Sequence, residues 1–282
     1  LDEFWERLQA GTSTIKEHTF PRFADENTKT FHAALLDDVD QFDPDYFNLT
    51  KANADALDPQ HRLILESVEL AVKDSNLKLS NTYTNVYVAV AHHEYGQHGQ
   101  YGFDTMSSLA HSMLGLRIKN RFDLRGSYQQ IDTACSSFLV AMHNAMEDLN
   151  QGKCRHAIVA GANLLLHPDS FTGFARMGVL NPKGEVKSFS EDAAGYARSE
   201  GVGALVLTTD NVETYYCKLL ASAQTQNGKT DPIFAPDGLA QEELHHSIKK
   251  QVPNVDYLEI HGTGTQAGDL IEAFSLANAY GD

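Results

Sequence analysis

Apolar residues recur every three or four positions in several segments of this chain, which is the spacing of one face of an α-helix. In residues 58–76, Leu63, Leu65, Val68 and Val72 lie on faces that a helix would bury, and Pro59 stands in the first turn, where proline is tolerated. The same analysis predicts helices over residues 1–11, 58–76, 104–124, 136–152, 239–251 and 269–282.

Short apolar runs rich in β-branched and aromatic residues lie between these helices and predict β-strands. The predicted strands cover residues 84–91, 128–132, 156–163, 203–209, 215–223 and 255–262. Strands that alternate with helices indicate an α/β fold with mostly parallel strand pairing. Residues 11–58 look irregular, with aromatic anchors such as Phe42 and Phe47, and the sequence contains no internal repeat.

Composition narrows the class of protein. The chain has 42% apolar residues, enough for a substantial core, and a formal net charge of −16, which disfavours nucleic acid and anionic membranes as general partners. Its longest apolar stretch, near residues 157–166, is too short to span a bilayer. We therefore expect a soluble, cytoplasmic protein. The 3 cysteines form no CxxC pair, so a disulfide framework or a zinc knuckle is not indicated.

Cys135 stands where the predicted strand 128–132 gives way to the predicted helix 136–152, between the small residues Ala134 and Ser136. The positive end of a helix favours a thiolate, which is the nucleophilic form, and the backbone amide of Cys135 is a candidate donor to an oxyanion. The pattern alone leaves two interpretations open, a nucleophile or a small packing residue. Cys154 and Cys217, in a helix-end turn and a predicted strand, are expected to be structural.

A second candidate site follows the predicted strand 255–262, where the chain runs into the glycine-rich and threonine-rich segment HGTGTQAGD. Loops at the carboxyl ends of strands often bind ligands, and glycines allow the backbone to approach a ligand closely. Thr263 and Thr265 supply hydroxyl groups at alternate positions. His261 considered alone is either a structural, hydrogen-bonded histidine or a functional partner of Cys135.

The motifs DTACSS and HGTGT together resemble the ketosynthase domain of type I polyketide synthases and of the related animal-type fatty acid synthase. The blocks FDPDYFNLTKANADALDPQHRLILE, GFARMGVLNPKGEVKSF, GYARSEGVGALVL and APDGLAQ occur in that family's order, so the resemblance covers nearly the whole chain. It implies a thiolase-like five-layer αβαβα sandwich, truncated in its C-terminal half. Residues 1–211 would form the N-terminal half without its first strand, and residues 212–282 the beginning of the C-terminal half.

The resemblance also implies a reaction and a role for each site residue. Cys135 would carry the acyl chain as a thioester, and a malonyl-type extender on an acyl carrier protein would lose CO2 and attack that acyl group. His261 would donate to the enolate oxygen, Thr263 and Thr265 would hold the phosphopantetheine arm, and Phe174 would gate the acyl pocket. No cofactor would bind directly. The expected partners are the acyl carrier protein, other domains of a megasynthase and a second copy of the chain.

The family pattern continues past the HGTGT loop to a second catalytic histidine, a lysine and a second oxyanion amide, which have no counterpart before Asp282. We therefore expect a fragment that is inactive and poorly stable alone. Its last helix should expose apolar residues, among them Leu270, Ile271, Phe274 and Leu276.

Three alternatives remain from the sequence. The first is a non-elongating ketosynthase-like structural or docking domain of a megasynthase, and the second is a cysteine hydrolase with a Cys–His pair. The third is a metal site at His92, His93 and His98, which is disfavoured because the spacing is H-E-x-x-x-H and Gly96 interrupts a helix. The motifs DPQHR and GYARSEG favour polyketide over fatty acid assembly.

Overall fold

The computed structural model describes residues 2–18, 31–92, 94–98 and 107–281. The helices are α1 (Asp2–Gln9), α2 (Lys51–Ala56), α3 (Pro59–Ser75), α4 (His111–Phe122), α5 (Ser137–Asn150), α6 (Pro168–Arg176), α7 (Gly238–Gln251) and α8 (Gln266–Tyr280). The strands are β1 (Lys16–His18), β2 (Phe31–Ala34), β3 (Thr84–Ala89), β4 (Tyr128–Ile131), β5 (His156–Asn163), β6 (Arg198–Ser199) and β7 (Gly201–Thr208). Short 3-10 helices span Tyr95–His98 and Ala134–Ser136.

Residue contacts divide the chain into two compact units. Unit 1 comprises Leu1–Asp37, Leu165–Glu200 and His261–Leu270. Unit 2 comprises Asp38–Leu164, Gly201–Ile260 and Ile271–Asp282. Each unit is built from segments that are far apart in the sequence. The boundary predicted between residues 211 and 212 separates the N-terminal and C-terminal thiolase-like halves. It is a different division of the chain from units 1 and 2, and it stays a prediction.

Unit 2 contains a four-stranded sheet in the order β4-β3-β5-β7. Strand β3 pairs in parallel with both β4 and β5, whereas β7 runs antiparallel to β5. Alternate residues of β3 face opposite sides of the sheet: Val86 and Val88 pack with Ile64 of α3, and Tyr87 packs with Ala141 of α5. Helices therefore cover both faces, as the apolar strands require.

Unit 1 contains a three-stranded sheet in the order β1-β2-β6. Its small core includes Ala33, Leu165 and Phe171. The Glu200 carboxylate accepts backbone hydrogen bonds from Leu36 and Leu165, each 2.8 Å long. This carboxylate therefore joins two segments of unit 1 that are distant in sequence.

The α/β prediction is confirmed, and the predicted helices and the first four predicted strands agree with the structure to within a few residues where it describes them. Residues 99–106, which include the start of the predicted helix 104–124, lie outside the described residues. The sequence pattern missed the short elements β1, β2, β6, α2 and α6. Of these, β1, β2, β6 and α2 span six residues or fewer and are too short to show a clear hydrophobic period.

The last two predicted strands, over residues 215–223 and 255–262, are wrong, because the structure assigns no strand to either segment. Both segments carry exposed apolar side chains, including Leu220 at 69% and Tyr257 at 78% exposure. A strand requires hydrogen bonds to a neighbouring strand, and neither segment joins a ladder within the part of the chain that is described.

The last helix, α8, agrees in part with the prediction of exposed apolar residues. Leu270 and Phe274 are 57% and 63% exposed, whereas Ile271 and Leu276 are half-buried. The C-terminal part of α8 contacts α7, because the Ser275 hydroxyl donates to the Gly238 carbonyl over 3.0 Å. This contact explains why only part of the apolar face of α8 is exposed.

Candidate functional sites: the cysteine turn and the HGTGT loop

Cys135 lies at the junction that the sequence predicts. Strand β4 ends at Ile131, the 3-10 helix Ala134–Ser136 contains Cys135, and α5 begins at Ser137. Cys135 is an exposed residue. The structure therefore leaves this residue exposed to solvent at the start of α5.

The turn that carries Cys135 is held by its immediate neighbours. The Asp132 carboxylate accepts a hydrogen bond from the Ala134 amide at 3.1 Å. The buried Ser137 hydroxyl accepts from the Thr133 amide at 2.9 Å and donates to the Ala134 carbonyl at 2.7 Å. Ala134 has a φ of 53°, in the left-handed region that non-glycine residues rarely adopt. The residue before the thiol is therefore strained, and hydrogen bonds on both sides maintain that strain.

Helix α5 fixes this turn to the sheet. Ala141 and Ala145 are fully buried against it, and Phe138 packs over Gly161 of β5. A methyl group added at Gly161 would lie 2.9 Å from Phe138 Cδ2 and 3.0 Å from the Ala89 carbonyl oxygen. The absence of a side chain at Gly161 therefore allows the first turn of α5, directly after Cys135, to approach β3 and β5.

The other two cysteines have different surroundings. Cys154 is buried, and burial raises the pKa of its thiol, which agrees with a structural role. Cys217 is exposed and lies in the segment 215–223, which forms no strand. The expectation that Cys217 lies in a strand is therefore wrong, because segment 215–223 pairs with no neighbouring strand within the described part of the chain.

The HGTGT loop, residues 261–265 of unit 1, has a backbone that depends on its glycines. Gly262 and Gly264 have φ values of 51° and 70°, which glycine adopts without strain. The Gly195 amide donates to the Gly264 carbonyl at 2.8 Å. The hydroxyl oxygens of Thr263 and Thr265 are 2.9 Å apart, so the structure brings together the two threonines that the resemblance pairs.

Asp269, in the first turn of α8, organises this loop. Its side chain is buried, with one carboxylate oxygen 3.0 Å from the Gly264 amide and the other 2.6 Å from the Phe189 amide. Gly268 precedes it, and a methyl group there would lie 2.5 Å from Thr265 Oγ1. The sequence analysis missed Asp269, although it ends the quoted motif HGTGTQAGD. Its bond to residue 189 is not visible in the sequence.

The structure places the remaining predicted residues, His261 and Phe174, in unit 1 as well. His261 is exposed and begins the loop. Phe174 is half-buried on α6, and the Arg198 guanidinium carbon lies 4.8 Å from the centre of its ring and 4.7 Å from that of Phe171. Arg198 also donates to the Ser170 hydroxyl at 2.6 Å. The side chain of Phe174 is thus in contact with a positively charged group that the sequence analysis did not identify.

Neither a metal cluster nor a membrane helix is found in the described ranges. Over residues 2–18, 31–92, 94–98 and 107–281, no three His, Cys, Asp or Glu side chains gather where they could hold a metal ion. His93, one of the three histidines of the disfavoured metal-site alternative, lies outside those residues. Across the same described part, no helix is long and apolar enough to cross a membrane.

Comparison with known proteins finds family models that match all of the chain except residues 213–215. The family model described as "Beta-ketoacyl synthase, N-terminal domain" matches residues 1–212, and the one described as "Beta-ketoacyl synthase, C-terminal domain" matches residues 216–282.

Similar curated proteins are polyketide synthases. The chain is 35% identical over 268 residues to the polyketide synthase ThaG of Burkholderia thailandensis, covering 89% of this chain and 5% of that protein. It is 37% identical over 267 residues to the polyketide synthase component of lovastatin nonaketide synthase from Aspergillus terreus, covering 87% of this chain and 9% of that protein. The chain therefore spans only a small part of the length of these relatives.

Similar solved structures are ketosynthases. The ketosynthase from module 6 of the bacillaene synthase of Bacillus subtilis matches with a TM-score of 0.90 and 31% identity, over 99% of this chain and 51% of that one. The oxazolomycin ketosynthase domain OzmH KS7 of Streptomyces albus matches with a TM-score of 0.86 and 27% identity, over 99% of this chain and 53% of that one. The chain thus spans about half the length of these solved domains, whose thiolase-like fold it shares.

Proposed function

Because this chain belongs to the beta-ketoacyl synthase family, we propose that it takes part in a decarboxylative condensation that extends an acyl chain in polyketide, or fatty acid, biosynthesis. The observation that carries the proposal is the exposed Cys135 thiol in a strained turn between β4 and α5. The comparisons lend no support to the non-elongating docking role left open by the sequence.

In the first half-reaction, the Cys135 thiolate attacks the carbonyl carbon of an acyl thioester. The new S–C bond forms as the bond to the donor thiol breaks, and that thiolate leaves and takes a proton. The backbone amide of Cys135, near the N-terminal end of α5, would donate to the oxyanion. The acyl group is then held on Cys135.

In the second half-reaction, a malonyl-type thioester loses its carboxylate as CO2, and the electron pair of the broken C–C bond forms an enolate. His261 would donate a hydrogen bond to the enolate oxygen. The enolate carbon attacks the acyl carbonyl on Cys135, a new C–C bond forms, and the Cys135 thiolate is expelled and reprotonated. A donor of this kind contributes about 10²–10³ in rate.

The extender is proposed to arrive on the phosphopantetheine arm of an acyl carrier protein, with the hydroxyls of Thr263 and Thr265 holding the arm and Phe174 gating the acyl pocket. No cofactor is needed by the chain itself in this scheme. A cytoplasmic homodimer within a multi-domain synthase is the setting that the family resemblance supports.

The decisive experiment locates the acyl adduct. The full natural polypeptide that carries these residues is incubated with an acyl thioester, and the labelled peptide is identified by mass. We expect the label on Cys135, with loss of at least about 100-fold in Cys135→Ser. Cys217→Ser, which alters another exposed thiol, is the matched control and should label normally. A label confined to Cys217 or Cys154 would overturn the proposal, and rapid hydrolysis of the adduct would favour a cysteine hydrolase.

A second experiment tests His261. His261→Ala should reduce malonyl decarboxylation by about 10²-fold or more while leaving acyl loading of Cys135 nearly unchanged, because the histidine acts on the malonyl group. Equal losses in the two steps would indicate a structural histidine.

A further inference from the structure

Phe189 combines an unfavourable backbone conformation with an exposed aromatic ring. Its φ is 60°, in the left-handed region where a bulky residue is a genuine outlier. Its side chain is 46% exposed, whereas Phe171 in the same unit is 8% exposed. Burial of the ring therefore gives little compensation for the strain.

The strained backbone is fixed by the residue that organises the HGTGT loop. The Phe189 amide donates to the buried Asp269 carboxylate at 2.6 Å, and the other carboxylate oxygen accepts from Gly264. The adjacent Ser188 hydroxyl donates to the Gly262 carbonyl. Two successive residues of the 188–189 segment are therefore hydrogen-bonded, directly or through Asp269, to the loop that begins with His261.

The ring itself lies against this loop. A methyl group added at Gly262 would be 3.2 Å from Phe189 Cε2, so the edge of the ring contacts the backbone next to His261. The ring is otherwise exposed, beside a loop in which Thr263 and Thr265 are half-buried residues. Ligand sites commonly combine such an apolar surface with a few polar groups that orient the ligand.

We propose that Phe189 is a further substrate-binding residue, whose ring packs against the apolar methylene and thioester part of the arm that delivers the extender unit. This inference rests on the proposed function. A pantetheine-type arm alternates amide groups with methylene segments. The Thr263 and Thr265 hydroxyls bind the polar groups, and the Phe189 ring covers the apolar ones. Backbone strain maintained at an exposed residue is typical of a ligand contact.

The test uses Phe189→Asn and Phe189→Leu in the full natural polypeptide. Asparagine adopts positive φ readily, so Phe189→Asn removes the ring and should melt at or above the wild-type temperature. We expect its KM for malonyl carrier protein decarboxylation to rise about tenfold, with kcat within about twofold, because uniform binding is lost. Phe189→Leu keeps an apolar side chain in the strained conformation and should have an intermediate KM.

Two controls separate binding from folding. Acyl loading of Cys135 from a short thioester that lacks the pantetheine arm should be unchanged in both variants. Phe4→Asn, which removes a 64% exposed phenylalanine of α1 in the same unit, should leave KM unchanged.

The outcomes are distinguishable. A wild-type protein that neither acylates Cys135 nor decarboxylates the malonyl group overturns the proposed function, and this inference with it. An active wild-type protein whose Phe189→Asn variant keeps a normal KM overturns the inference alone. A KM that rises only in variants with lowered melting temperature assigns the ring a structural role and also overturns it.

Discussion

The turn at Cys135 and the HGTGT loop both contain a residue with positive φ, but they are stabilised in different ways. The hydrogen bonds of the turn join residues at most four positions apart, from Asp132 to Ser137. The loop, in contrast, is bonded to a distant segment. Ser188 bonds to Gly262, 74 positions away, and Phe189 bonds to Asp269, 80 positions away. The turn is thus held by local hydrogen bonds, whereas the loop has, besides its local bond from Gly264 to Asp269, hydrogen bonds to distant segments of unit 1.

This difference has a consequence for mutations. Loss of one hydrogen bond in the turn leaves neighbours that still favour the same conformation. Loss of one in the loop separates segments whose closure costs chain entropy. We therefore expect larger losses of stability from substitutions that affect the loop.

The largest effect is expected for Asp269→Ala. The change leaves the amides of Gly264 and Phe189 without their charged acceptor, and hydrogen bonds to charged groups contribute about 1.5–3 kcal/mol each, so the free energy of unfolding should fall by about 3 kcal/mol. Denaturant unfolding measures it. Asp192→Ala, whose side chain is 79% exposed and 3.8 Å from Lys187, is the control and should change stability by less than about 0.5 kcal/mol. A loss below about 1 kcal/mol in Asp269→Ala would show that the loop does not depend on this carboxylate.

Gly264→Ala should have the next largest effect. Its φ of 70° costs an alanine about 1–2 kcal/mol, and the added methyl group would lie 3.0 Å from the Gly195 carbonyl oxygen. We expect a loss of about 2 kcal/mol, measured by thermal or denaturant unfolding. Gly203→Ala in β7 is the matched control, because its methyl group would meet nothing within 4 Å and no positive φ is involved. Equal losses in the two variants would contradict the role of backbone conformation.

In the cysteine turn, Ser137→Ala should cost about 1–2 kcal/mol, because the Thr133 amide and the Ala134 carbonyl both lose a partner. The control is Ser136→Ala, since the Ser136 hydroxyl is exposed and bonds to the carbonyl and the hydroxyl of the neighbouring Thr133. Its expected cost is about 0.5 kcal/mol. If Ser137→Ala proved as destabilising as Asp269→Ala, the distinction between a local turn and an assembled loop would not hold.

The smallest effect is expected for Ala134→Gly. Glycine relieves the strain at φ 53°, but it also has more freedom in the unfolded chain, so stability should rise by no more than about 1 kcal/mol. Chemical denaturation of both proteins measures the change. A clear loss of stability would mean that the Ala134 side chain makes contacts worth more than the strain.

The sequence could predict only those parts of the site that depend on neighbouring residues. The position of Cys135 between a strand and a helix follows from the period of apolar residues on either side of it, and the structure agrees. The role of Ser137 was missed, although it is nearby, because hydroxyl groups in the first turn of a helix have several possible partners. Asp269 and Phe189 were missed because their bond joins segments whose proximity no local pattern encodes.

The wrongly predicted strands 215–223 and 255–262 also show that local sequence pattern does not encode contacts between distant segments. Their apolar and aromatic residues have the composition of strands, yet composition describes how side chains pack and not which backbone supplies the hydrogen bonds. Strands 84–91 and 156–163 were predicted on the same grounds and succeed because β3 and β5 pair with each other.

By itself, the sequence determined the α/β class, most of the longer helices and the central strands, the turn that exposes Cys135 and the glycines of the HGTGT loop, because each depends on residues within a few positions of one another. Only the tertiary structure decided that Asp269 joins the loop to Phe189, that Arg198 contacts the rings of Phe171 and Phe174, and which apolar segments join a sheet. Those features depend on contacts between distant segments, which form only when burial of apolar surface offsets the chain entropy lost in bringing the segments together.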